Sequence, residues 1–549
     1  MPLADSDGTT RAADAAAPWQ PSPRQSRQLV WLLLAVGLAL RLLPIMWGTQ
    51  AYDESQYDLH PDEKKIVLYA MDFPRSLFEE EDFRYPTFVH NAYGASLWWL
   101  EWVGALEARP ETTESDAEAR VSVESERYQR ALLVCRLLTV LLGVLAMYLT
   151  YLFARRLFGP CTGLWTLALM NVAPLQVLYS ATSMTEVTAS VGLLAAMLLL
   201  LKMNQSEQIQ TTSGLSVGLA LGIATAAKYP AAIGVGAFAL CLAYWLVTRR
   251  VSLAQAGRLA LDGFVYGWFG FLLFVPGILI HFGAFVDSVL FELDDKLVSA
   301  TFDPASFIHE LRYTFGGIVL ALSTVGAGFA VARRRSFFVL MLLGLIVSFL
   351  VILSRSYVSY YGIPIAPYVV TFAALTLTVA PQWMPARARA VQSTALAVVV
   401  VGTAFTGYVG FQRYAGDTRY RFQDWVEENV PMGPVSVSLV DGYPRRHLWA
   451  CPKVPQGYEQ VDALTQPEWV VLCERHYRPV KAVLEGRRTR KGFKYMEEPT
   501  EEALRFYGDV LLDRETKYHY DLVKVLDPVD LPVGLRETTV KIYRRRDAR

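Results

Sequence analysis

Apolar and polar segments alternate along the 549-residue chain in the way that is typical of a polytopic membrane protein. Most of the apolar runs approach the length of about 20 residues that a membrane-spanning helix needs. The runs cover residues 29–47, 131–153, 163–179, 187–201, 214–227, 231–247, 264–280, 316–332, 337–353, 363–379 and 394–409. The pattern therefore predicts an all-α membrane domain over residues 29–410 with about eleven transmembrane helices.

The polar segments predict three further parts. Residues 1–28 have no apolar period and are rich in Ala, Ser and Pro, which predicts a disordered cytosolic tail. Residues 49–130 form a large acidic first loop, in which "NAYGASLWWLEWVGAL" favours a helix lying on the membrane surface. In residues 411–549, the β-rich strings "PVSVSLV", "EWVVLCE", "YDLVKVLD" and "TTVKIYRR" alternate with helix-compatible segments, which predicts a small α/β domain.

Composition supports a membrane protein, because 53% of the residues are hydrophobic and the mean hydropathy is +0.26. The 52 basic and 52 acidic residues cancel, so no global charge suggests a nucleic-acid partner. The five cysteines include no CxxC pair, which excludes zinc ribbons and thioredoxin-like motifs. A disulfide between Cys451 and Cys473 stays open, since it requires the polar tail to lie outside the cytosol.

Lysine and arginine are concentrated in alternate short loops, and such loops are usually cytosolic. The richer set holds Arg155, Arg156, Lys202, Arg249, Arg250, Arg258, Arg333, Arg334, Arg335, Arg387 and Arg389. The poorer set holds Lys228, Lys296, Arg312 and Arg355. The N-terminus, with Arg11, Arg24 and Arg27, belongs with the richer set. The bias predicts a cytosolic N-terminus, and an odd number of spans then places the first loop and the C-terminal domain outside. The expected location is the plasma (inner) membrane, which the chain crosses several times. Arg41, near the far end of the first run, is expected to extend to the lipid headgroups.

Two charged residues are predicted to lie within the membrane, below its outer surface. The apolar run that follows "SATSMTE" is short, which places Glu186 below the outer surface. In "GIATAAKYPAAIG", Pro230 ends the helix and leaves Lys228 at the turn. Charges at this depth cost several kcal/mol unless they line a wet cavity or meet a partner, which favours a functional cavity. The alternative is that both side chains reach the headgroups.

A third outer element is the late segment "SRSYVSYYGIPIAP". Arg355 has the planar guanidinium that binds phosphate through two parallel hydrogen bonds. Tyr357, Tyr360 and Tyr361 either stack on a sugar or belong to the aromatic belt at the membrane surface. Both interpretations of the tyrosines stay open.

The first loop carries two more polar elements. "FRYPTFVHN" holds Arg84 and Tyr85, and "QAYDESQYDLHPDEKK" holds Asp62 and Glu63 beside His60. The second string also contains the acids Asp53, Glu54 and Asp58. These carboxylates are the ligands that hard divalent cations prefer, but their spacing matches no metal template. A bound divalent cation and a solvated loop therefore both stay open.

These strings, in this order, resemble polyprenyl-phosphate-dependent glycosyltransferases of the GT-C fold, the group of protein O-mannosyltransferases and lipid A aminoarabinose transferases. The resemblance rests on "HPDE", "RYP", "ARRLFG", "SATSMTE", "GIATAAKY", "SRSYVSYYGIPIAP" and the junction "DTRYRFQDWVEENVPMG". It implies a lipid-linked sugar donor and a lipid, glycan or protein acceptor at the outer face. It also implies that Asp62, beside Glu63, occupies the catalytic acidic position. Glu186 stands where relatives commonly have an Asp, and the segment of Arg355 is longer than its counterpart in relatives.

The mechanism that fits both the resemblance and the residues is inverting sugar transfer. Asp62 is expected to act as general base on the acceptor hydroxyl, and Glu186 to position the acceptor or a partner of Asp62. Lys228, Arg355 and Arg84 are expected to neutralise the departing polyprenyl phosphate. The remaining candidates are expected to contact substrate, and these are His60, Tyr85, Tyr357, Tyr360 and Tyr361.

Two other functions also fit a chain with many spans. A transporter or flippase for a lipid-linked or anionic substrate would contain charges within the membrane, but its acids are expected near the bilayer midplane in two matching halves. Here the acids cluster in one loop, and no inverted repeat is visible. A receptor or assembly scaffold would use the C-terminal domain as a binding module.

Overall fold

The structure is a computed structural model of the chain. It describes residues 21–47, 61–79, 83–84, 86–106, 117–294, 302–334, 336–354, 359–383, 387–440, 452, 457–474, 477, 480–481, 484–485, 500–514, 517–528 and 538–546. Most of these residues are helical, and five short strands form one sheet.

The helices are numbered here in chain order. The first nine are α1 Pro23–Leu42, α2 Pro61–Met71, α3 Ser76–Glu79, α4 Phe88–Trp102, α5 Ala117–Phe158, α6 Pro160–Val172, α7 Pro174–Tyr179, α8 Thr185–Gln205 and α9 Ser213–Ala227. The next eight are α10 Ile233–Val247, α11 Leu253–Leu272, α12 Phe282–Leu293, α13 Pro304–Phe315, α14 Gly317–Arg334, α15 Phe337–Leu353, α16 Ala366–Trp383 and α17 Ala388–Ala415. The last two are α18 Thr418–Asn429 and α19 Glu501–Leu512. Short 3-10 turns cover Tyr229–Ala232, Pro276–Leu279, Ser359–Ile365 and Ala463–Thr465.

The prediction of a mainly helical membrane protein with a small C-terminal α/β part is confirmed. Among the described residues, five helices are long and apolar enough to cross a membrane, or six if the pair Pro304–Phe315 and Gly317–Arg333 counts as one span. That pair bends by 91° at Gly316, whose φ of +79° suits a residue without a β-carbon. Each predicted apolar run contains helix, but the count of about eleven spans stays a prediction.

Proline residues break two of the predicted runs. The run over 163–179 divides into α6 and α7 at Ala173, directly before Pro174. The predicted bounds of the run over 264–280 are wrong, because its helix begins at Leu253 and ends at Leu272. A 3-10 turn that starts at Pro276 follows this helix. Proline lacks the backbone N–H of a continuing helix and disfavours helical geometry in the residue before it, which explains both breaks.

The described residues fall into two compact units. The first draws on Met1–Ile45, Lys65–Glu111 and Arg130–Gly410, and the second on Met46–Lys64, Thr112–Gln129 and Phe411–Arg549.

The second unit contains the sheet. Its strands are β1 Pro434–Val437, β2 Glu459–Gln460, β3 Trp469–Cys473, β4 Tyr520–Leu526 and β5 Val540–Arg545. Their order is β2-β1-β3-β5-β4, with β1 parallel to β2 and β3, and β5 antiparallel to β3 and β4. The four β-rich strings of the sequence correspond to β1, β3, β4 and β5, whereas β2 has only two residues and no sequence signal. One face packs on Phe422 and Val426 of α18.

The expectation that Arg41 extends to the headgroups is wrong. Only 1% of the residue is exposed, and its Nη1 donates to the Gly37 carbonyl oxygen at 3.0 Å. A β-carbon on Gly143 of α5 would lie 3.1 Å from the Arg41 Nε and 2.7 Å from the Ser180 Oγ, so the guanidinium lies inside the helix bundle. The sequence could not show this, because burial depends on which helices pack around the end of α1.

Helix α9, which leads to Lys228, is held closely against α11. A β-carbon on Gly218 or Gly222 would collide with the carbonyl oxygens of Gly263 and Gly267. Small residues allow helix backbones to approach in this way, and such contacts are the usual means of helix association within membranes. The position of the C-terminal end of α9 is therefore fixed by backbone packing.

A buried carboxylate organises the segment "DTRY" in the second unit. The Asp417 side chain is fully buried, caps α18 by accepting from the Arg419 N–H at 2.9 Å, and accepts from the Trp47 Nε1 at 3.0 Å. The Arg419 guanidinium donates to both carboxylate oxygens, at 2.8 and 2.5 Å, and lies 5.6 Å from the Trp47 ring centre. Burial by itself raises the pKa of Asp417, but the charge and hydrogen bonds of Arg419 and Trp47 offset this and lower the pKa below 3.8.

Replacing Asp417 by Asn is expected to destabilise this unit by about 3 to 5 kcal/mol, because Arg419 would lose its buried counter-ion. Because the folded pKa is the lower one, the contribution of the carboxylate is complete above pH 3.8 and is lost as the pH falls through the folded pKa. Thermal unfolding followed by tryptophan fluorescence should show a lower melting temperature for D417N than for wild type. This difference in melting temperature should narrow as the pH falls below 3.8. The exposed Asp424 of α18 supplies the control, since D424N should unfold like wild type. A difference in melting temperature that does not change with pH would contradict this account.

Candidate active site

The first component of the site is Glu186, in the first turn of α8. Its residue exposure is 0%, and its Oε2 accepts from the Thr185 hydroxyl at 3.3 Å. The segment "SATSM" that precedes the helix is likewise buried. A carboxylate at a helix N-terminus is stabilised by the unpaired backbone N–H groups of the first turn. Burial at this position still requires a positive partner.

That partner is Lys228, at the break between α9 and the 3-10 turn Tyr229–Ala232. Its φ of −158° and ψ of 123° are extended, so the helix ends at Ala227, and Pro230 prevents its continuation. The Lys228 Nζ forms a hydrogen-bonded ion pair with the Glu186 Oε1, and the two side chains are 13% and 1% exposed. The sequence predicted both residues at depth, and the structure brings them together.

Two tyrosine rings cover the ammonium group. The Lys228 Nζ lies 4.6 Å from the ring centre of Tyr361 and 5.6 Å from that of Tyr360. The two rings meet edge to face at 4.9 Å. Cations at this distance from an aromatic face are attracted by its quadrupole, more strongly where water is excluded. The two tyrosines therefore belong to the site, whatever their relation to a sugar.

Sequence reasoning missed Tyr179, the last residue of α7. Its ring stacks on that of Tyr360 at 5.3 Å, and only 4% of the residue is exposed. Tyr179 directly precedes the string "SATSMTE". Its position beside this predicted outer turn could have indicated that it belongs to the site. What the sequence could not supply was the partner ring, which is remote along the chain.

Phe83, the first residue of "FRYP", lies beside the same turn. The Tyr229 hydroxyl, next to Lys228 in the chain, donates to the Phe83 carbonyl oxygen at 2.8 Å. Arg84 follows Phe83, is exposed, and lies 5.8 Å from the ring centre of Phe291. Asn91 then fastens α4 by donating to the carbonyl oxygen of Phe274 at 2.8 Å. Phe83 is thereby held beside Tyr229, the residue that follows Lys228.

Asp62 and Glu63 both lie in the first turn of α2. Asp62 is half-buried, whereas only 3% of Glu63 is exposed. The later part of α2 packs on α4, where the Tyr69 and His90 rings stack at 5.3 Å. Acidic residues in a first turn are favoured by the helix dipole, so the local sequence supports this placement.

The predicted surface helix "NAYGASLWWLEWVGAL" corresponds to α4. One side buries Val89, Tyr93 and Leu97, and the tryptophans on the other side are exposed by 51 to 75%. Tryptophan is enriched at the level of the lipid headgroups, so the exposed face suits a membrane surface.

Several predicted residues lie outside the described part of the chain. They are Asp53, Glu54, Asp58, His60, Tyr85, Arg355, Tyr357 and Cys451. Their predicted roles and the Cys451–Cys473 disulfide stay predictions. Among the residues that are described, no cluster of three or more His, Cys, Asp or Glu side chains suits a metal ion.

An apolar groove of about 610 Å³ begins at Tyr229, the neighbour of Lys228. It runs between α9, α10 and α11 and is closed at one side by Phe285 of α12. Its walls are almost wholly hydrocarbon and aromatic, with Thr225 and Tyr229 as the polar members. The arrangement can hold an apolar chain next to a cation.

One protein family and several solved structures are similar to this chain. A family model described as dolichyl-phosphate-mannose-protein mannosyltransferase matches residues 129–279, which include Glu186 and Lys228. No curated protein matches the sequence. Among solved structures, the apo oligosaccharyltransferase of Archaeoglobus fulgidus is 12% identical with a TM-score of 0.50, over 75% of this chain and 62% of that one. The same enzyme in complex with zinc and sulfate is 14% identical with a TM-score of 0.50, over 91% and 79%.

The chain has the GT-C fold. The expected resemblance is thereby confirmed. This GT-C chain spans about 62% of the length of the first of those oligosaccharyltransferase structures. ArnT of Cupriavidus metallidurans, solved with undecaprenyl phosphate, is also similar, with 16% identity and a TM-score of 0.46 over 82% of this chain and 94% of that one.

Proposed function

We propose that the chain is a membrane glycosyltransferase that moves a sugar from a polyprenyl-phosphate donor to an acceptor, with inversion of the anomeric carbon. The observation that carries the proposal is the Glu186–Lys228 ion pair, next to which Tyr229, the residue after Lys228, lines an apolar groove. A cation at membrane depth beside a hydrocarbon channel suits a ligand with a phosphate and a long apolar chain. The family match over 129–279 and the GT-C fold support the same reaction class.

In this proposal the isoprenoid chain lies in the groove and the donor phosphate meets Lys228. Glu186 holds the ammonium at the end of α9 until the phosphate arrives, and it also positions the acceptor or a partner of Asp62. Arg84 and Arg355 add positive charge near the phosphate. Tyr360 and Tyr361 exclude water from the ammonium and face the sugar.

The acceptor hydroxyl attacks the anomeric carbon, a carbon–oxygen bond forms there, and the bond from that carbon to the phosphate oxygen breaks. Asp62 takes the hydroxyl proton, and the polyprenyl phosphate leaves with its charge neutralised by Lys228. Attack opposite the leaving group inverts the configuration. Glu63, His60, Tyr85 and Tyr357 are assigned supporting contacts in the first loop and the late segment.

The proposed topology places the N-terminus in the cytosol of a plasma or inner membrane. The membrane domain over 29–410 then carries out transfer at the outer face, and residues 411–549 form a domain on that face. The acceptor is a lipid, a glycan or a protein. The orientation rests on the distribution of Lys and Arg between alternate loops.

The function is tested with the full chain in lipid nanodiscs, supplied with polyprenyl-phosphate mannose or polyprenyl-phosphate aminoarabinose and a crude envelope fraction as acceptor. Release of polyprenyl phosphate together with a labelled acceptor is the expected result. Vesicles loaded with the same donors distinguish a glycosyltransferase from a flippase, the main alternative. A flippase would move the intact donor across the bilayer without breaking the sugar–phosphate bond. Donor movement without any transfer would overturn the proposal.

A further inference from the structure

Helix α12 is attached to the first loop by individual contacts. None of its 12 residues, all of which the structure describes, is buried, so the helix is not held by a packed core. Directly before it, the His281 Nε2 donates to the Phe78 carbonyl oxygen at 3.0 Å. A β-carbon on Gly277 would lie 3.1 Å from the Leu77 carbonyl oxygen, so the turn that precedes α12 also touches the first loop. The contacts that α12 makes with this loop therefore fix the position of both.

Phe83 of the first loop is held at its backbone N–H, its backbone carbonyl group and its ring. The N–H donates to the Ser288 Oγ of α12 at 3.2 Å, and the carbonyl oxygen accepts from the Tyr229 hydroxyl at 2.8 Å. The ring meets that of Phe285 edge to face at 6.0 Å, and only 1% of the residue is exposed. A buried N–H that loses its partner is costly, so Phe83 keeps one orientation. The next residue, Arg84, consequently starts from a fixed point.

Arg84 extends over the same helix. Its guanidinium lies 5.8 Å from the ring centre of Phe291, and the residue is exposed. Phe285, Ser288 and Phe291 follow one another at intervals of three residues on α12, which makes consecutive members neighbours on the helix surface. The attraction between a cation and an exposed ring is modest, so the direction of Arg84 depends mainly on how the backbone of Phe83 is held.

The same contacts lead to Lys228 and to the apolar groove. Tyr229 follows Lys228 in the chain, and its ring lies 6.2 Å from that of Phe285. Tyr229 and Phe285 both line the groove. Phe83 thus joins α12 to the turn that holds Lys228. The two cations assigned to the donor phosphate, Lys228 and Arg84, adjoin the two residues of one hydrogen bond.

We propose that Ser288 is a positioning residue for sugar transfer. By holding the Phe83 N–H it fixes Arg84 beside the phosphate that Lys228 binds. Ser288 acts through Arg84 and itself contacts no substrate. Without the hydroxyl, Arg84 would have to be ordered by the phosphate when the lipid binds, and ordering a long side chain at that moment weakens binding. The inference rests on the proposed function, because the phosphate is that of the lipid-linked donor.

The test measures the Kd of the full chain for polyprenyl phosphate in detergent micelles, and the KM values for donor and acceptor. S288A is expected to raise the Kd and the donor KM by about three- to tenfold, the factor that one hydrogen bond supplies, and to leave the acceptor KM unchanged. S288T retains the hydroxyl and should restore both values. T324A is the control, because the exposed Thr324 hydroxyl donates within its own helix, to the Leu320 carbonyl oxygen at 2.9 Å. A purely structural role of Ser288 would lower kcat and leave the donor KM unchanged, which would overturn the proposal.

A double-variant experiment tests whether Ser288 acts through Arg84. R84Q should weaken the binding of polyprenyl phosphate, and S288A/R84Q should bind it as R84Q does, because the side chain that Ser288 positions is already lost. If S288A weakened binding by the same factor in R84Q as in wild type, Ser288 would not act through Arg84. Equal Kd values for S288A and wild type would likewise overturn the proposal.

The binding measurement separates this inference from the proposed function. A wild-type chain that binds polyprenyl phosphate but transfers no sugar would show that the proposed function is wrong. The difference in Kd between S288A and wild type would still decide the role of Ser288. A wild-type chain that transfers sugar, together with an S288A variant of unchanged Kd, would contradict the positioning role alone.

Discussion

Asp62→Asn in the purified full chain is expected to lower turnover by about 100- to 10,000-fold while leaving the melting temperature unchanged. Asn keeps the size of the side chain but cannot accept the proton of the acceptor hydroxyl, and general-base catalysis supplies a factor of this order. Asp62 is half-buried in the first turn of α2 and is not part of a hydrophobic cluster, so the fold should tolerate the change. The measurement is single-turnover transfer from a polyprenyl-phosphate sugar.

The control is Asp72→Asn, because Asp72 directly follows the same helix and is also half-buried. D72N should retain activity near that of wild type. If D62N transferred sugar at more than about a tenth of the wild-type rate, Asp62 would not be the base, and Glu63 would become the next candidate. Glu63→Gln distinguishes the two carboxylates in the same assay.

Lys228→Ala is expected to lower kcat/KM for the donor by about 10- to 100-fold and to change the acceptor KM far less. The ammonium is assigned to the donor phosphate, and a hydrogen bond to a charged group contributes about 1.5 to 3 kcal/mol. The measurement is initial rate against donor concentration at saturating acceptor, then the reverse. Lys202→Ala supplies the control, because Lys202 is exposed in the last turn of α8. A larger effect on acceptor use would place Lys228 elsewhere in the reaction.

Loss of stability must be separated from loss of binding, since Lys228 is paired with a buried carboxylate. Removing one member of a buried ion pair typically costs about 3 to 5 kcal/mol, whereas removing both is much less damaging. K228M and E186Q are therefore each expected to lower the melting temperature, and the double variant K228M/E186Q to recover part of the loss. The double variant should still use the donor poorly. Recovery of donor use together with stability would mean that Lys228 has only a structural role.

Much of the candidate site was predictable from local sequence. "SATSMTE" followed by a short apolar run placed Glu186 at depth, and Pro230 predicted the helix break that leaves Lys228 at a turn. Both signals are local, since they depend on run length and on the missing N–H of proline. That Lys228 meets Glu186 is a contact between residues 42 positions apart. The stack of Tyr179 on Tyr360 is a contact of the same kind, and no local pattern encodes it.

By itself the sequence determined the helical character of the predicted apolar runs, the four principal strands of the tail and the helix break at Pro230, because hydrophobic period and backbone chemistry act locally. Only the tertiary structure decided which charges are buried. Arg41 lies inside the bundle because α5 and the turn after α7 close over it. Asp417 is buried against Trp47, 370 residues away. Burial of a charge requires partners from several elements at once, and their meeting depends on how the helices pack.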